Sequence, residues 1–425
     1  MAALPQLPIW VLYPILFIGF FIAIFYLLIL FKKEQKPKTT NIFPNVVFLI
    51  PAKNVQEVLE ECVKRIINQD YKGKITTIII NDASTDNTPK VAQDLIKKYS
   101  KKNRKIILLQ REKSTGYKSH VLNFGLRYLF SKKGQNLTKN QKSLLIAHLD
   151  ADTFIPRNLL KEAIPFFQDE NVMAVTSWMM PYNEKKFLAR MQKIEYLMTS
   201  FYRYLLGRVD AVCIAPAFTI FKSEFFRKAG YYDEKTLTED FEIALRVKSL
   251  GYNIVFLDKK ITTIVPEKFN KLRKERIRWW HGTFQNMVKY KHLISPKYGA
   301  LGTFFLPVTV ILGTAIMLAA ASIVLYGLVY NAYNLIYDFL LGVRFRLEFE
   351  INLFKALLFI SDPRIILSIF ALLLSVLFFS FALTKLKEKI NLLDYLVFVF
   401  IYGWILILFC LEGVIKYVFK LKVSW

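Results

Sequence analysis

The stretch SLLIAHLDAD, residues 143–152, decides the fold class. Its first seven residues form a short apolar run, and a run of that length reads as a buried strand rather than a helix. Two carboxylates, Asp150 and Asp152, follow at its carboxyl end with one residue between them. Three earlier runs have the same form. Residues 45–50 (NVVFLI) end at Pro51, residues 75–80 (ITTIII) end at Asn81-Asp82, and residues 106–109 supply another. Between them, residues 55–67 and 88–99 carry helical spacing, as in Val58, Cys62, Val63 and Ile66. Strands alternating with helices predict an α/β protein with a doubly wound parallel sheet. Ligands of such sheets bind beyond the carboxyl ends of the strands. Pro51-Ala52-Lys53-Asn54, Asn81-Asp82 and Asp150-Ala151-Asp152 all fall at such ends.

Apolar residues make up 54% of the 425-residue chain, and their uneven spread divides it. Residues 9–31 carry no charge, and a span of the hydrocarbon core needs about 20 apolar residues. The run lacks a basic leader and is followed by Lys32-Lys33, which predicts a retained anchor rather than a cleaved signal. Three further spans are expected near residues 301–330, 365–384 and 395–418, giving an α-helical transmembrane region. Residues 331–359 hold scattered charges and leave room for an extra or re-entrant segment. The predicted division is residues 1–38 (anchor and basic flank), 39–296 (soluble domain) and 297–425 (membrane region). Lys32, Lys33, Lys36 and Lys38 place the soluble domain in the cytoplasm of a multi-pass plasma-membrane protein. Lys385, Lys387 and Lys389 agree with that topology, whereas Lys416, Lys420 and Lys422 do not.

The formal net charge is +26, but its lysines and arginines are dispersed. No zinc-finger, RNA-recognition or helix-turn-helix pattern accompanies them, so a nucleic-acid partner is not expected, and anionic lipid fits better. Cys62, Cys213 and Cys410 have no metal-ligand spacing.

Two later signals complete the set: Thr238-Glu239-Asp240, and Glu275-Arg276-Ile277-Arg278-Trp279. With Pro51-Ala52-Lys53-Asn54, Asn81-Asp82-Ala83-Ser84-Thr85-Asp86, Lys118 with residues 122–126 (LNFGL), and Asp150-Ala151-Asp152, they stand in the order found in inverting family 2 glycosyltransferases. Residues 45–281 resemble that family. The flanking apolar segments are arranged as in its membrane synthases of chitin-oligosaccharide, poly-N-acetylglucosamine, hyaluronan and cellulose type.

The resemblance implies a GT-A fold and a nucleotide-sugar donor, a UDP-sugar foremost. It implies Mg²⁺ or Mn²⁺ on Asp152, with Asp150 on the donor nucleotide or sugar. Pro51, Ala52, Asn54, Asp82, Lys118, Arg276 and Arg278 become donor-binding candidates, Asp240 the catalytic base, and Glu239 and Trp279 acceptor contacts. Chemistry supports each expectation. Alternate carboxylates after a strand can reach one oxygen-preferring cation, and inverting transfer needs one carboxylate to take the acceptor's proton. Each motif also has a plainer reading. Asp150 and Asp152 could cap a helix, Glu239-Asp240 could sit in a helix's first turn, Asp86 suits a turn former, and Asn123 could only fix its loop. Arg276–Trp279 could be an interfacial helix. Residues 188–205 and 269–288 have apolar stripes that could be core, but their place between the motifs and the spans favours interfacial helices that dock the domain onto the bilayer. Where the family usually has Gln, this chain has Glu275. Glu412 and Lys416, four apart, could pair or line a polar path.

The expected function is addition of sugar to a growing polysaccharide with coupled export. The alternative is one addition to a lipid-linked acceptor. A degenerate scaffold is disfavoured by the intact Asp82, Asp150, Asp152 and Asp240, and a transporter by the lack of inverted repeats.

Overall fold

The computed structural model describes residues 9–33, 37, 40–138, 144–342 and 363–423. Lys36, Lys38, Ser143 and the part of residues 331–359 beyond residue 342 lie outside the described residues. Contacts gather the chain into two units. One comprises Met1–Lys32 with Phe304–Lys389, the other Lys33–Thr303 with Ile390–Trp425.

The larger unit is built on one sheet of strands β1 (Val46–Ala52), β2 (Ile75–Asp82), β3 (Arg104–Arg111), β4 (Leu145–Leu149), β5 (Thr153–Phe154), β6 (Val172–Pro181), β7 (Phe218–Lys222) and β8 (Asn253–Thr263). In chain order the helices are α1 (Ile9–Ile29), α2 (Leu59–Ile67), α3 (Thr88–Tyr99), α4 (Lys118–Phe130), α5 (Gln135–Thr138), α6 (Leu159–Ala163) and α7 (Phe187–Gly207). Then come α8 (Ser223–Ala229), α9 (Glu239–Ser249), α10 (Phe269–Lys289), α11 (Gly313–Leu340), α12 (Pro363–Leu386), α13 (Leu392–Val397) and α14 (Gly403–Val418).

The strand order is β3-β2-β1-β4-β7-β6-β8-β5. Its first half is parallel, as expected: β1 pairs in parallel with both β2 and β4, and β2 with β3. Every residue of β2 is buried, and β-branched side chains dominate it, which suits a strand covered on both faces. Helix α2 covers the sheet through Leu59, Cys62, Val63 and Ile66, one face of a 3.6-residue period. The second half corrects the all-parallel expectation. There β7 runs antiparallel to β4 and β6, β8 parallel to β6, and β5 antiparallel to β8. The sheet is mixed because the chain returns through β7 between β4 and β6.

Strand β5 follows β4 after only Asp150-Ala151-Asp152, yet β7, β6 and β8 lie between them in the sheet. The sheet must therefore curl until its far edge reaches the carboxyl end of β4. That curl puts the two aspartates in a concavity between the halves, with Thr153 paired to Thr263.

Helix α7 is core. Met191, Ile194, Phe201 and Leu205 are buried, and the helix packs on β6 and β8 rather than offering its apolar stripe to a bilayer. Helix α10 packs along α14, whose Glu412 pairs with Lys416 at 2.9 Å and with Arg273 at 2.6 Å. Glu412 and Lys416 thus form an ion pair.

In the smaller unit α1 packs on α12. Its contacts are aromatic: Phe25 stacks on Phe304 at 3.5 Å between centroids, and Phe20 lies 5.0 Å from Phe370. Tyr26 is buried, its hydroxyl 3.4 Å from that of Thr309. Residues Leu301–Leu312 form a π-helix around Pro307, which lacks the N–H an α-helix needs there. Helices stand at all four places where spans are expected. Among the described residues, Leu301–Ala319 and Leu392–Val418 are long and apolar enough to cross a bilayer, and Phe17–Leu30 and Leu372–Leu386 are shorter apolar helices.

Candidate active site

The carboxyl ends of β1 and β2 form one lip of the concavity. Pro51 and Ala52 sit beside Ile80 and Asn81 in register. Asn54 adopts a left-handed backbone (φ 53°), a conformation Asn tolerates better than most residues. Its side-chain oxygen accepts from the Thr85 N–H at 2.9 Å, and its own N–H donates to Ser84 Oγ at 3.1 Å. Asn54 therefore ties the β1 loop to the β2 loop. Asp86 is a turn former: it accepts from the backbone N–H groups of Thr88 (2.9 Å) and Gln56 (3.3 Å). Asp82 is 4% exposed and ion-paired with Arg111. Ser114 Oγ donates to its other oxygen at 2.5 Å and itself accepts from Lys53 Nζ at 2.8 Å. Sequence reasoning missed Arg111 and Ser114, because they stand at the end of β3 and in the loop after it, where no motif marks them.

Lys118 begins α4 and is the hub of the site. Its ammonium pairs with Asp150 Oδ1 and lies 3.7 Å from Glu239. Burial opposes its charge, but Asp150 and Glu239 outweigh burial and raise its pKa. Burial alone would raise Asp150. Instead Lys118, together with a hydrogen bond from His148, holds that carboxyl well below the usual carboxylate range. Asp152 has the reverse balance. Burial first and the Asp150 charge second push it up to about 7. Its near neighbours are hydroxyls, Thr263 Oγ1 at 3.4 Å and Thr153 Oγ1 at 3.5 Å.

Such a site fits a divalent cation. A positive charge at Asp152 would relieve the repulsion that raises it, and the donors are hard oxygens. Among the described residues no group of three or more His, Cys, Asp or Glu forms a ready-made cage. The remaining ligands would have to be phosphate and water, as is usual for Mg²⁺.

Glu239 and Asp240 open α9 across the concavity. Burial, with Asp240 beside it, raises the Glu239 pKa. Asp240 is half-buried; its Oδ1 accepts from the Phe241 N–H at 2.8 Å, and its backbone oxygen accepts from the Ala215 N–H at 3.1 Å. Helix α10 braces this turn. Asn286 donates to the backbone oxygen of Thr238 at 3.1 Å, and Gly282 lies so close that an added Cβ would strike the Thr238 side chain. Arg278 donates to the Leu237 carbonyl at 3.0 Å.

The structure thus brings Lys118, Asp150, Asp152, Glu239 and Asp240 into one site, with Arg278 behind the Asp240 turn. Arg276 is placed differently. It is 2% exposed and binds Glu195 through Nε (2.7 Å) and Nη2 (3.0 Å), pairs with Glu275, and reaches Gln192 at 3.3 Å. Its guanidinium is directed to side-chain carboxylates. Trp279 lies beneath that guanidinium, 4.0 Å from ring centroid to cation, and 6.5 Å from the Tyr196 ring. Glu195, 81 residues from Arg276 and inside α7, carries no sequence signal of its role.

The description Glycosyl transferase family 2 matches residues 47–230, and Glycosyl transferase family group 2 matches residues 145–411, more than half the chain. The chain belongs to the family 2 glycosyltransferases. Among curated relatives, the poly-β-1,6-N-acetyl-D-glucosamine synthase of Staphylococcus aureus (strain COL) is 28% identical over 250 residues, covering 57% of this chain and 56% of the relative. The synthase of Staphylococcus epidermidis is 27% identical over 253 residues, covering 57% and 55%. This glycosyltransferase therefore matches about half the length of those relatives. Among solved structures, the mannosyltransferase PcManGT of Pyrobaculum calidifontis, in complex with GDP-Man and Mn²⁺, superposes with a TM-score of 0.61. That likeness is 16% identical and covers 97% of this chain and 98% of that one, and it establishes the glycosyltransferase fold.

Proposed function

We propose that this family 2 glycosyltransferase is membrane-embedded and inverting, and that it moves a hexosyl or N-acetylhexosaminyl group from a UDP-sugar to a growing polysaccharide. The observation that carries the reading is the cluster joined by Lys118. Its ammonium pairs with Asp150 and lies 3.7 Å from Glu239, and so joins the strand end that carries Asp150 and Asp152 to the helix start that carries Asp240. The name of the staphylococcal relatives supports N-acetylglucosamine as the sugar and a polysaccharide as the product.

Asp82, Asn54, Pro51 and Ala52 line the lip that would receive the nucleotide, and Asp150 would orient the donor. When bound at Asp152, Mg²⁺ or Mn²⁺ supplies charge neutralisation for the leaving diphosphate. Lys118 holds Asp150 in place and keeps a positive charge beside the donor. Asp240 takes the proton of the acceptor hydroxyl as that oxygen bonds to the anomeric carbon, on the face opposite the breaking carbon–phosphate-oxygen bond. The electron pair leaves with the nucleoside diphosphate, so no covalent enzyme intermediate forms. Glu239 and Trp279 flank the acceptor side, and Arg278 would meet the donor diphosphate.

The four apolar helices serve as spans in this reading, with the catalytic unit cytoplasmic at the plasma membrane. Helix α1, at 21 residues, is about 31 Å long, the thickness of the hydrocarbon core. A second reading, one addition to a lipid-linked acceptor, is favoured by Glu275, which places a carboxylate held by Arg276 where the family usually has an uncharged amide. The deciding experiment incubates the purified protein in lipid nanodiscs with Mn²⁺ or Mg²⁺ and a panel of nucleotide sugars. Nucleotide release accompanied by a ladder or long polymer is expected. A single sugar on an extracted lipid would establish the second reading, and no release with any sugar would overturn both.

A further inference from the structure

His148 lies in β4, two residues before Asp150, so both side chains leave the strand on the same side. It is 1% exposed. Its Nε2 is 3.3 Å from Asp150 Oδ1, and its Nδ1 is 3.4 Å from the hydroxyl of Tyr232. An ionised carboxylate only accepts hydrogen bonds, so Nε2 must carry the hydrogen, and Nδ1 is left to accept from the tyrosine O–H. Tyr232 cannot drift. Its backbone N–H donates to Asn123 Oδ1 at 2.9 Å, and its carbonyl accepts from Asn123 Nδ2 at 2.9 Å. The loop before α9 is in this way clamped to α4, with its tyrosine aimed at the imidazole.

Asp150 Oδ1 receives two donors, Lys118 and His148. These two fill the lone pairs of that one oxygen. The carboxylate plane is then fixed by groups on two sides, and neither of these two donors engages Oδ2.

We propose that His148 is a positioning residue for the donor, held by Tyr232 and Asn123, which locks the Asp150 carboxylate so that Oδ2 points at the bound nucleotide sugar. The inference rests on the donor role proposed for Asp150. It also gives Asn123 a function: the residue serves the active site through two intermediaries.

The test is calorimetric titration in the presence of Mn²⁺, with UDP and GDP tried in parallel on the wild-type protein and the tighter one used throughout. His148→Leu removes the donor to Asp150 and should weaken binding by about tenfold or more, the scale of one hydrogen bond to a charged group. His148→Gln can place an amide N–H where Nε2 stands and should stay within about threefold of wild type. Tyr232→Phe, a milder change that keeps the packing, should weaken binding by roughly threefold to tenfold in a protein that still folds, and it decides the matter if His148→Leu does not fold. Equal losses in the Leu and Gln variants would reduce His148 to packing and overturn the proposal, as would wild-type affinity in both His148→Leu and Tyr232→Phe. Asp150→Asn is the control. If it binds as wild type does, or if wild type binds neither nucleotide, the donor reading of Asp150 fails, and the proposal fails with it. If only Asp150→Asn is weakened, the donor reading stands and the His148 role falls.

Discussion

The parallel half of the sheet (β3, β2, β1, β4) and the mixed half (β7, β6, β8, β5) bring carboxylates to the same concavity by different constructions. In the parallel half the charges stand on strand ends. Asp82 is met by Arg111 at the end of β3 and by Ser114 in the loop after it, and Asp150 by Lys118 at the start of α4 and by His148 in β4. In the mixed half Asp240, the proposed base, sits on a helix start that α10 presses into place. The nearby charged cluster, Glu195–Arg276–Glu275, is buried in the packing of α7 against α10 and also takes the Tyr402 hydroxyl at 3.0 Å. Side chains at strand ends can change their chemistry without changing the core. Around the Asp240 turn, packing and the proposed chemistry share the same residues, so substitutions there should act on both.

The largest effect is expected on the parallel side. Asp152→Asn removes the carboxylate that burial and Asp150 push up to about 7, and with it the anionic ligand proposed for the cation. Turnover of the nucleotide sugar should fall by about a thousandfold or more, on the scale of losing a principal electrostatic stabiliser. Tm should rise or stay level, because an unfavourable buried charge is gone. Retained turnover with added Mn²⁺ would remove Asp152 from the reaction.

Asp240→Asn comes next, and it tests whether the mixed half does chemistry of its own. The amide cannot take the acceptor's proton, so transfer should fall by roughly a hundredfold to ten-thousandfold. Binding of UDP, measured by titration, should remain within about threefold. If binding and turnover fall together, the residue serves the helix start, and the division between the two halves is wrong.

The same division explains what the sequence revealed. Strands β1, β2 and β4 were legible because a parallel strand buried on both faces is a continuous apolar run, and because its functional residues follow it directly in the chain. Strands β6, β7 and β8 left weaker traces. The run from Val172 to Pro181 is wholly buried yet mixes Thr176, Ser177 and Trp178 among its apolar residues. Strand β8 carries Asp258 and two lysines, and its pairing with β6 shifts register between Ser177 and Trp178. The partners of Arg276 were illegible for a further reason. Glu195 is 81 residues away, and no local pattern encodes a contact between side chains of two separate helices. His148 was within reach, since a polar residue two positions before Asp150 on one strand must share its side.

Glu195→Gln tests the buried cluster. It leaves Arg276 with Glu275 as its remaining carboxylate partner, and breaking a buried pair costs about 3–5 kcal/mol. The low end is expected because Glu275 stays in place. For a unit of this size that lowers Tm by roughly 5–10 °C, measured by differential scanning fluorimetry in detergent, and activity should fall in the surviving protein as Trp279 loses its fixed neighbour. A Tm within about 1 °C of wild type would show that the cluster does not hold the mixed half together.

The smallest effect is expected where the mixed half meets α13. Arg190 Nε lies 3.2 and 3.0 Å from the two oxygens of Asp394, a contact as short as many in the buried cluster. Its surroundings differ, however. The Arg190 side chain is 42% exposed and Asp394 16%, against 2% for Arg276. Water and salt screen a pair so placed, and a long side chain loses rotamer freedom in forming it, so such contacts contribute about 0–1 kcal/mol. Arg190→Ala should therefore move Tm by less than about 3 °C, and the remaining difference should shrink further in 0.5 M salt, where the screening length falls to roughly 4 Å. Activity should be unchanged, since the residue is fixed to α13 and not to Glu195, Arg276 or Trp279. A loss as large as that of Glu195→Gln would mean that the anchorage of α13, rather than the buried cluster, sets the geometry of the mixed half.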